Sequence, residues 1–335
     1  MALEELIYAN ADCLTISRRS IRGKWAYYSA DGERIEDRDE ITRLNAVGLP
    51  PAYINAAYAP FGHSHILAIG YDAKGRKQYR YHAHFSAQQS CSKFDNCRSF
   101  GAQLALLRRR VDRDLAHPGL GKSRVLASIV RLLDTGSIRI GNEVYAKTNR
   151  SFGATTLRRR HVQIKGATLH LHFRAKSGLD RNLRITDRRL ARFVKRLQDL
   201  PGQALFKYVD DSGQPMPVNS TDVNIYIKET MGNPFTAKDF RTWSASVNAF
   251  RSIRTAKSDL SLKEMLAHVS AHLGNTPSIA RKSYIHPAIL SSMSDQAAIR
   301  AVPLPRATRW LDRYDRGLLA FLDKCPSAAD LLIPA

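Results

Sequence analysis

The sequence predicts an α+β protein: a small, mostly β amino-terminal domain, then a mainly helical domain that carries a small β-sheet or hairpin of its own. Three observations lead there. Up to about Phe85, turn signals separate short runs rich in β-branched and aromatic residues. Beyond it, apolar residues recur at helical spacing, as in Phe100, Leu104, Leu107 and Val111. Inside the helical part, Thr168–Phe173 alternates, with Leu169, Leu171 and Phe173 on one face.

Trp25–Ser29, the dipeptide Asp31-Gly32 and Arg34-Ile35 predict a hairpin with an Asp-Gly turn. Ile66–Tyr71, the turn Asp72–Gly75 and Lys77–His82 predict a second, and between them Leu49-Pro50-Pro51 breaks regular structure. In the helical region Arg108, Arg109 and Arg110 crowd the first stripe. Val125, Ile129, Leu132 and Leu133 form another, which stops at Gly136. Lys176-Ser177-Gly178 is a turn, and Leu183–Ile185 returns from it. Helices resume from about Asp187. Leu262, Met265, Leu266, Val269 and Leu273 share one helical face ended by Gly274, and Thr276-Pro277 starts the next helix with Thr as cap and Pro in the first turn. Leu311, Leu318, Leu319 and Leu322 predict a last helix with a partly apolar face. The expected domains are therefore 1–88, 89–300 and a helical tail, 301–335, that packs on the second domain or covers its site.

Composition narrows the function. The chain has 335 residues, 44% of them hydrophobic, which suits two globular domains. Its formal net charge is +22 and its pI about 10.1, so a polyanion is the expected partner. An anionic membrane would call for a basic amphipathic helix or a lipidation signal, and neither stands out. There is no apolar run of transmembrane length, and Met1–Glu5 lacks the basic start of a signal peptide. Cys13, Cys91, Cys97 and Cys325 fit no zinc pattern and read as reduced thiols. No Asp/Glu cluster marks a metal site, and no Gly-rich loop of Walker type marks a nucleotide site.

Five residues suit metal-free attack on a phosphodiester. Tyr284 is flanked by Arg281 and Lys282. A free tyrosine ionises near about 10, and nearby cations favour the nucleophilic phenolate. Arg241 follows Lys238 by three residues, on one helical face, and its fork matches two phosphate oxygens. Arg139 lies between two isoleucines, after a helix end and before an expected strand, pointing away from both toward a cleft. Lys176, at a hairpin tip, suits a general acid. Asn275 either donates a hydrogen bond to a phosphate oxygen or helps cap a helix end. Each also has an ordinary structural reading. The chain holds 52 Lys and Arg and 13 Tyr, so one surface cation or half-buried tyrosine means little alone.

Taken in order, these segments resemble type IB DNA topoisomerases of the small bacterial and poxvirus kind, over nearly the whole chain. The resemblance runs through Leu49–Pro51, Gly70–His82, Ile138–Gly141, Lys176–Gly178, Lys238–Thr242 and Gly274–Pro277, on to Arg281–Tyr284. Gly70–His82 is the most specific of these; the tyrosine motif is shared with tyrosine recombinases, which have the same catalytic fold and chemistry. The resemblance implies Tyr284 as nucleophile forming a 3′-phosphotyrosyl link, Arg139 and Arg241 on the non-bridging oxygens, and Lys176 protonating the departing 5′-oxygen. Asn275 stands where many family members carry histidine; it keeps hydrogen bonding but not proton exchange. The implied protein is an ATP- and metal-independent enzyme without cofactor, relaxing supercoiled duplex DNA as a monomeric clamp in the cytoplasm, at the bacterial nucleoid.

The second hairpin fits the clamp. Gln78 and Arg80 share one strand face and suit base edges; Tyr79 and Tyr81 share the other and either pack on DNA or form an aromatic core face. Lys74, Arg76 and Lys77 suit phosphates, and Tyr145 joins the DNA-contacting candidates. Two other readings stay open: a tyrosine recombinase, against which the β-rich amino-terminal domain speaks, and a non-catalytic basic DNA-binding protein.

Overall fold

The computed structural model describes residues 6–8, 10–232 and 235–332. The chain divides after Cys91 into a first unit, 1–91, and a second, 92–335.

The first unit is a five-stranded antiparallel sheet in the order β2-β1-β3-β4-β5. Strand β1 (Ile16–Ile21) turns into β2 (Lys24–Tyr28) through Arg22 and Gly23, both left-handed at φ 47° and 77°. A two-residue turn with both φ positive matches the twist of the strands it joins. Thus β2 pairs with the strand before it, not with Arg34-Ile35. The Asp31-Gly32 turn does close, but only one bridge, Tyr28 to Arg34, follows it. The next residues are already committed to helix α1 (Arg38–Ala46), where Asp37 accepts from Asp39 N at 2.9 Å. Helix α1 and strand β3 (Ile54–Tyr58) are both additions to the expected elements. A register shift between Ile54 and Ala57, with Asn55 at φ 49°, hides the alternation of β3 from the sequence. Strands β4 (Ile66–Tyr71) and β5 (Lys77–Tyr81) form the expected second hairpin. The core gathers Ile16, Tyr27, Leu44, Leu49, Tyr58 and Ala68, with Tyr27 edge-on to Tyr58.

Helix α2 (Ala83–Ala116) carries the chain across the division. It buries Phe100, Leu104, Leu107 and Val111, as the spacing predicts. Helix α3 (Lys122–Gly136) ends one residue later than expected: Gly136 stays helical and Ser137 takes the left-handed cap at φ 48°. A Cβ on Gly136 would meet Ile185 Cδ1 at 3.1 Å, so close packing explains the glycine. After α4 (Glu143–Asn149) come β6 (Val162–Lys165), β7 (Thr168–Arg174) and β8 (Asp180–Thr186), a three-stranded antiparallel sheet in that order. The first of these is not predicted. Leu169, Leu171 and Phe173 are buried on one face of β7, as expected. Next are α5 (Arg188–Gln198), a small ribbon of β9 (Lys207–Val209) and β10 (Pro215–Pro217), and α6 (Ser220–Met231).

Helix α7 (Asp239–Thr255) is central to the second unit and buries Phe240, Trp243, Phe250 and Ile253. It is followed by α8 (Leu262–Leu273), α9 (Pro277–Ser283), α10 (Pro287–Ser291), α11 (Ala297–Ala301), α12 (Arg313–Leu322) and α13 (Ala328–Leu332). Helix α12 packs on α7: Trp243 Nε1 donates to Asp315 at 3.0 Å, and Arg108 from α2 bridges Asp134 and Asp315 at 2.8 and 2.7 Å. Among the described residues no helix is long and apolar enough to cross a membrane.

Gly101, within α2, faces the Trp243 ring so closely that a Cβ would lie 2.2 Å from it. Replacing a helical glycine by alanine ordinarily stabilises by about 0.5–1 kcal/mol. Here the ring must move and strain its bond to Asp315, an overpacking cost of roughly 1–3 kcal/mol. Gly101→Ala is therefore expected to lower the urea midpoint; a raised midpoint would show that Trp243 yields without loss.

Candidate active site

The site is built on two helix ends. Helix α3 stops at Ser137 and α8 stops at Leu273, with Gly274 left-handed at φ 60°. A helix C-terminus leaves carbonyls unpaired and carries partial negative charge. Arg241, in the first turn of α7 and only 3% exposed, donates to both ends: to Ser137 O, and from two nitrogens to Leu273 O at 3.2 Å. Its buried Nε has no hydrogen-bond partner among the described residues. Burial pulls its pKa down to about 10, Arg139 adds to the fall and Tyr284 opposes it, so Arg241 stays charged at neutral pH. Lys238 does not share this environment. It precedes the first helical residue and stays exposed, whereas the helix carries Arg241 inward.

Arg139 lies in an extended loop, not a strand. The loop pairs with another loop: Ala154 N donates to Arg139 O at 2.8 Å and Thr155 N to Ile140 O at 2.7 Å. Gly153 permits that approach, since a Cβ there would sit 2.6 Å from Arg139 O. Ile138 is buried at 2%, and Arg139 projects elsewhere, donating from Nη2 to Asn275 Oδ1 at 2.7 Å. Arg241 Nη2 donates to the same oxygen at 3.1 Å. Guanidinium groups only donate, so two of them fix the amide with Oδ1 toward the arginines. Asn275 Nδ2 is then left buried without a hydrogen-bond partner among the described residues.

A third guanidinium completes the group and is absent from the sequence expectations. Arg181 on β8 is 9% exposed and donates to Ala271 O at 3.4 Å and His272 O at 3.0 Å. It fills the space beside Gly274, where a Cβ would lie 2.4 Å from Arg181 Nη1. Burial and then Arg139 lower its pKa. The signal in the sequence is its parity with Leu183 and Ile185, which marks an arginine at an inward strand position. Among the described residues Arg139, Arg181 and Arg241 form no ion pair with a carboxylate. Their positive charge is left for an anion.

Tyr284 closes α9. Thr276 caps that helix by accepting from Ile279 N at 3.3 Å, as the sequence predicts. Tyr284 is its C-cap, at φ −133°, and does not lie within it: both Tyr284 N and Ile285 N turn to Ala280 O, and Pro287 follows. The half-buried ring lies under Arg241, whose Cζ is 4.8 Å from the ring centre. Burial pushes the phenol pKa up, but the Arg241 and Arg139 charges outweigh it and the net shift is downward. Lys93 from α2, also unforeseen, donates to Ser283 O at 3.1 Å. Lys176 stays apart. It stands exposed on the β7–β8 turn, where Ser177 is left-handed at φ 65°, and it makes no hydrogen bond or ion pair among the described residues.

The hairpin candidates belong to the first unit. Lys74 and Lys77 are exposed. Arg76 pairs with Asp72 at 2.6 Å, and Gln78 Nε2 donates to the same carboxylate at 3.1 Å. Arg80 donates to Gly48 O at 2.8 Å. The tyrosines form no core face: Tyr79 and Tyr81 are 41% and 44% exposed, and their rings stack at 5.7 Å on the sheet edge. In the second unit, Tyr145 is exposed in the first turn of α4, whose cap Asn142 accepts from Tyr145 N at 3.2 Å.

Comparison with known proteins finds relatives along most of the chain. The family model described as eukaryotic DNA topoisomerase I, catalytic core, matches residues 82–302, and that of the bacterial DNA topoisomerase IB N-terminal domain matches residues 24–72. DNA topoisomerase 1B of Acanthamoeba polyphaga mimivirus is 34% identical over 284 residues, covering 81% of this chain and 84% of that protein. DNA topoisomerase 1B of Vaccinia virus (strain Copenhagen) is 22% identical over 69% of this chain and 73% of its own. DNA topoisomerase 1 of Mycosarcoma maydis is 30% identical over 51% of this chain and 19% of its own length.

Alkaline titration of the protein without DNA, followed by phenolate absorbance, is expected to show one tyrosine ionising below the ordinary value of about 10. Tyr284→Phe should remove that first step and Arg139→Ala should move it up. A first step unchanged in Tyr284→Phe would mean that the cations do not govern this phenol.

Proposed function

Because this chain belongs to the type IB DNA topoisomerase family, we propose that it relaxes supercoiled duplex DNA through a covalent link at Tyr284, with no ATP and no metal. Tyr284 Oη attacks the scissile phosphorus. The bond to the 5′-oxygen breaks, a 3′-phosphotyrosyl bond forms, and the 5′-hydroxyl end is free to rotate. The reverse displacement reseals the strand. One phosphodiester is exchanged for another, so no outside energy source is consumed.

The observation that carries this reading is the Tyr284 ring under Arg241, with Arg241 and Arg139 both tied to Asn275 and, among the described residues, neither paired with a carboxylate. In-line displacement concentrates negative charge on the two non-bridging oxygens, and fixed cations aimed there lower the barrier. Arg139 and Arg241 fill that role. Asn275 Nδ2, unpaired among the described residues, supplies a neutral donor to one of the same oxygens. Lys176, exposed on its turn, gives a proton to the departing 5′-oxygen once duplex is bound. Mobile groups commonly reach their working position only in the complex.

The remaining assignments follow from the same reading. Residues 1–88 form the DNA clamp, where Lys74, Arg76 and Lys77 meet phosphates and Gln78, Tyr79, Arg80 and Tyr81 face the duplex. Residues 89–300 form the catalytic domain, with Tyr145 as a further contact, and 301–335 are the supporting tail. The enzyme acts as a monomer in the cytoplasm, at the nucleoid.

Incubated with labelled duplex and quenched with denaturant, the parent protein is expected to yield a covalent adduct in excess chelator, and Tyr284→Phe none. An adduct or plasmid relaxation at parental level from Tyr284→Phe would refute the nucleophile. Strand exchange between two duplexes with no relaxation of one plasmid would favour a recombinase instead. Asn275→Ala should slow cleavage by about 10²–10³-fold, the usual loss for one oxyanion donor.

A further inference from the structure

We infer that Lys93 is a positioning residue for the nucleophile: it clamps the peptide that leads into Tyr284 and seats an ammonium on that peptide's carbonyl. The inference deepens the proposed function and rests on Tyr284 being the nucleophile.

Its basis is the backbone on either side of Tyr284. The Ser283 carbonyl and the Tyr284 N–H belong to one planar peptide unit. Lys93 Nζ holds the oxygen end at 3.1 Å, and Ala280 O holds the N–H end at 3.1 Å. The next peptide is held at its N–H end, where Ile285 N donates to Ala280 O at 3.1 Å. Its oxygen lies 3.4 Å from Ser246 Oγ, whose single proton goes first to Thr242 O at 2.9 Å. One peptide plane fixed at both ends and the next fixed at its N–H constrain φ and ψ of the residue between them. They thereby set the direction in which the Tyr284 ring leaves the backbone, under Arg241.

Lys93 is costly to keep for packing alone. It is half-buried, its Nζ lies 3.9 Å from the Phe94 ring centre, and it forms no ion pair with a carboxylate among the described residues. A methionine would fill the same space without desolvating a charge. What the ammonium adds is a bond to a helix-terminal carbonyl, where a cation is favoured, and a positive charge near the phenol. The charged and titratable groups around it are Lys238, just ahead of α7, Asp239 on α7, Cys97 on its own helix, and Tyr284. Around Tyr284 the facing cations are Arg241 and Arg139. Burial lowers the Lys93 pKa, and Tyr284 is the leading group that raises it again, so the two groups favour each other's charged form.

The test is single-turnover adduct formation across neutral to alkaline pH, for the parent, Lys93→Met, Lys93→Arg and Tyr284→Phe. Lys93→Met is expected to form adduct about tenfold more slowly at neutral pH, the equivalent of one pKa unit of lost charge assistance. DNA affinity should be unchanged. The deficit should shrink as pH rises, because hydroxide then supplies the phenolate and Lys93 of the parent is itself losing its proton. Lys93→Arg should recover most of the rate. A parental rate in Lys93→Met, or a deficit equal at every pH, overturns the inference. If Lys93→Met loses its cooperative melt, Lys93→Gln is judged by the same two outcomes. Adduct from Tyr284→Phe would instead sink the nucleophile assignment, so the two failures are distinguishable.

Discussion

The second unit is organised around the most deeply buried of its site arginines, Arg241, which among the described residues has no acid for a partner. Arg241 is neutralised by the carbonyls of two helix ends and one amide oxygen. A carboxylate in their place would satisfy the guanidinium more strongly, and would also cancel the charge that a phosphate must meet. Partial charges at helix termini are strong enough to hold the group and weak enough to leave it attractive to an anion. The placement of α3, α7 and α8 follows from this. Each must end or begin where Arg241 can reach it, and Ser137 accepts a left-handed conformation to make that possible.

The same constraint explains the small residues around the pocket. Gly274 is left-handed and also stands where any side chain would displace Arg181; Gly153 lets two loops touch beside Arg139. These glycines set backbone spacing within tenths of an ångström, and the three guanidiniums inherit that spacing. Burial, and after it repulsion among the arginines, is the cost, and both lower the pKa of Arg181 and Arg241. Binding an anion relieves it, which links affinity for phosphate to the stability of the empty pocket.

Much of this was legible in the sequence wherever a local rule decides the outcome. The Asp72–Gly75 hairpin, the stripe from Phe100 to Val111, the Gly274 stop and the Thr276-Pro277 start all emerge as read. What escaped was set by partners distant in the chain. Strand β3 was hidden by a bulge, and β2 was assigned to the wrong neighbour because two turn signals flank it. The strand expected just after Arg139 is absent: an extended loop, paired with a second loop, leads into α4 instead. Lys93 and Arg181 carry no motif. One is an ordinary helix lysine and the other shows itself only as a charge on the apolar parity of a strand.

The order of the segments has a consequence for synthesis of the chain. Lys93, Arg139, Arg181, Arg241 and Asn275 all precede Tyr284, so every group that gathers around the phenol is made before the phenol itself. A ribosome that halts anywhere ahead of residue 284 releases a polypeptide that lacks this phenol. In the proposed reaction, no such product can be joined to a strand end, whatever else of the site it carries.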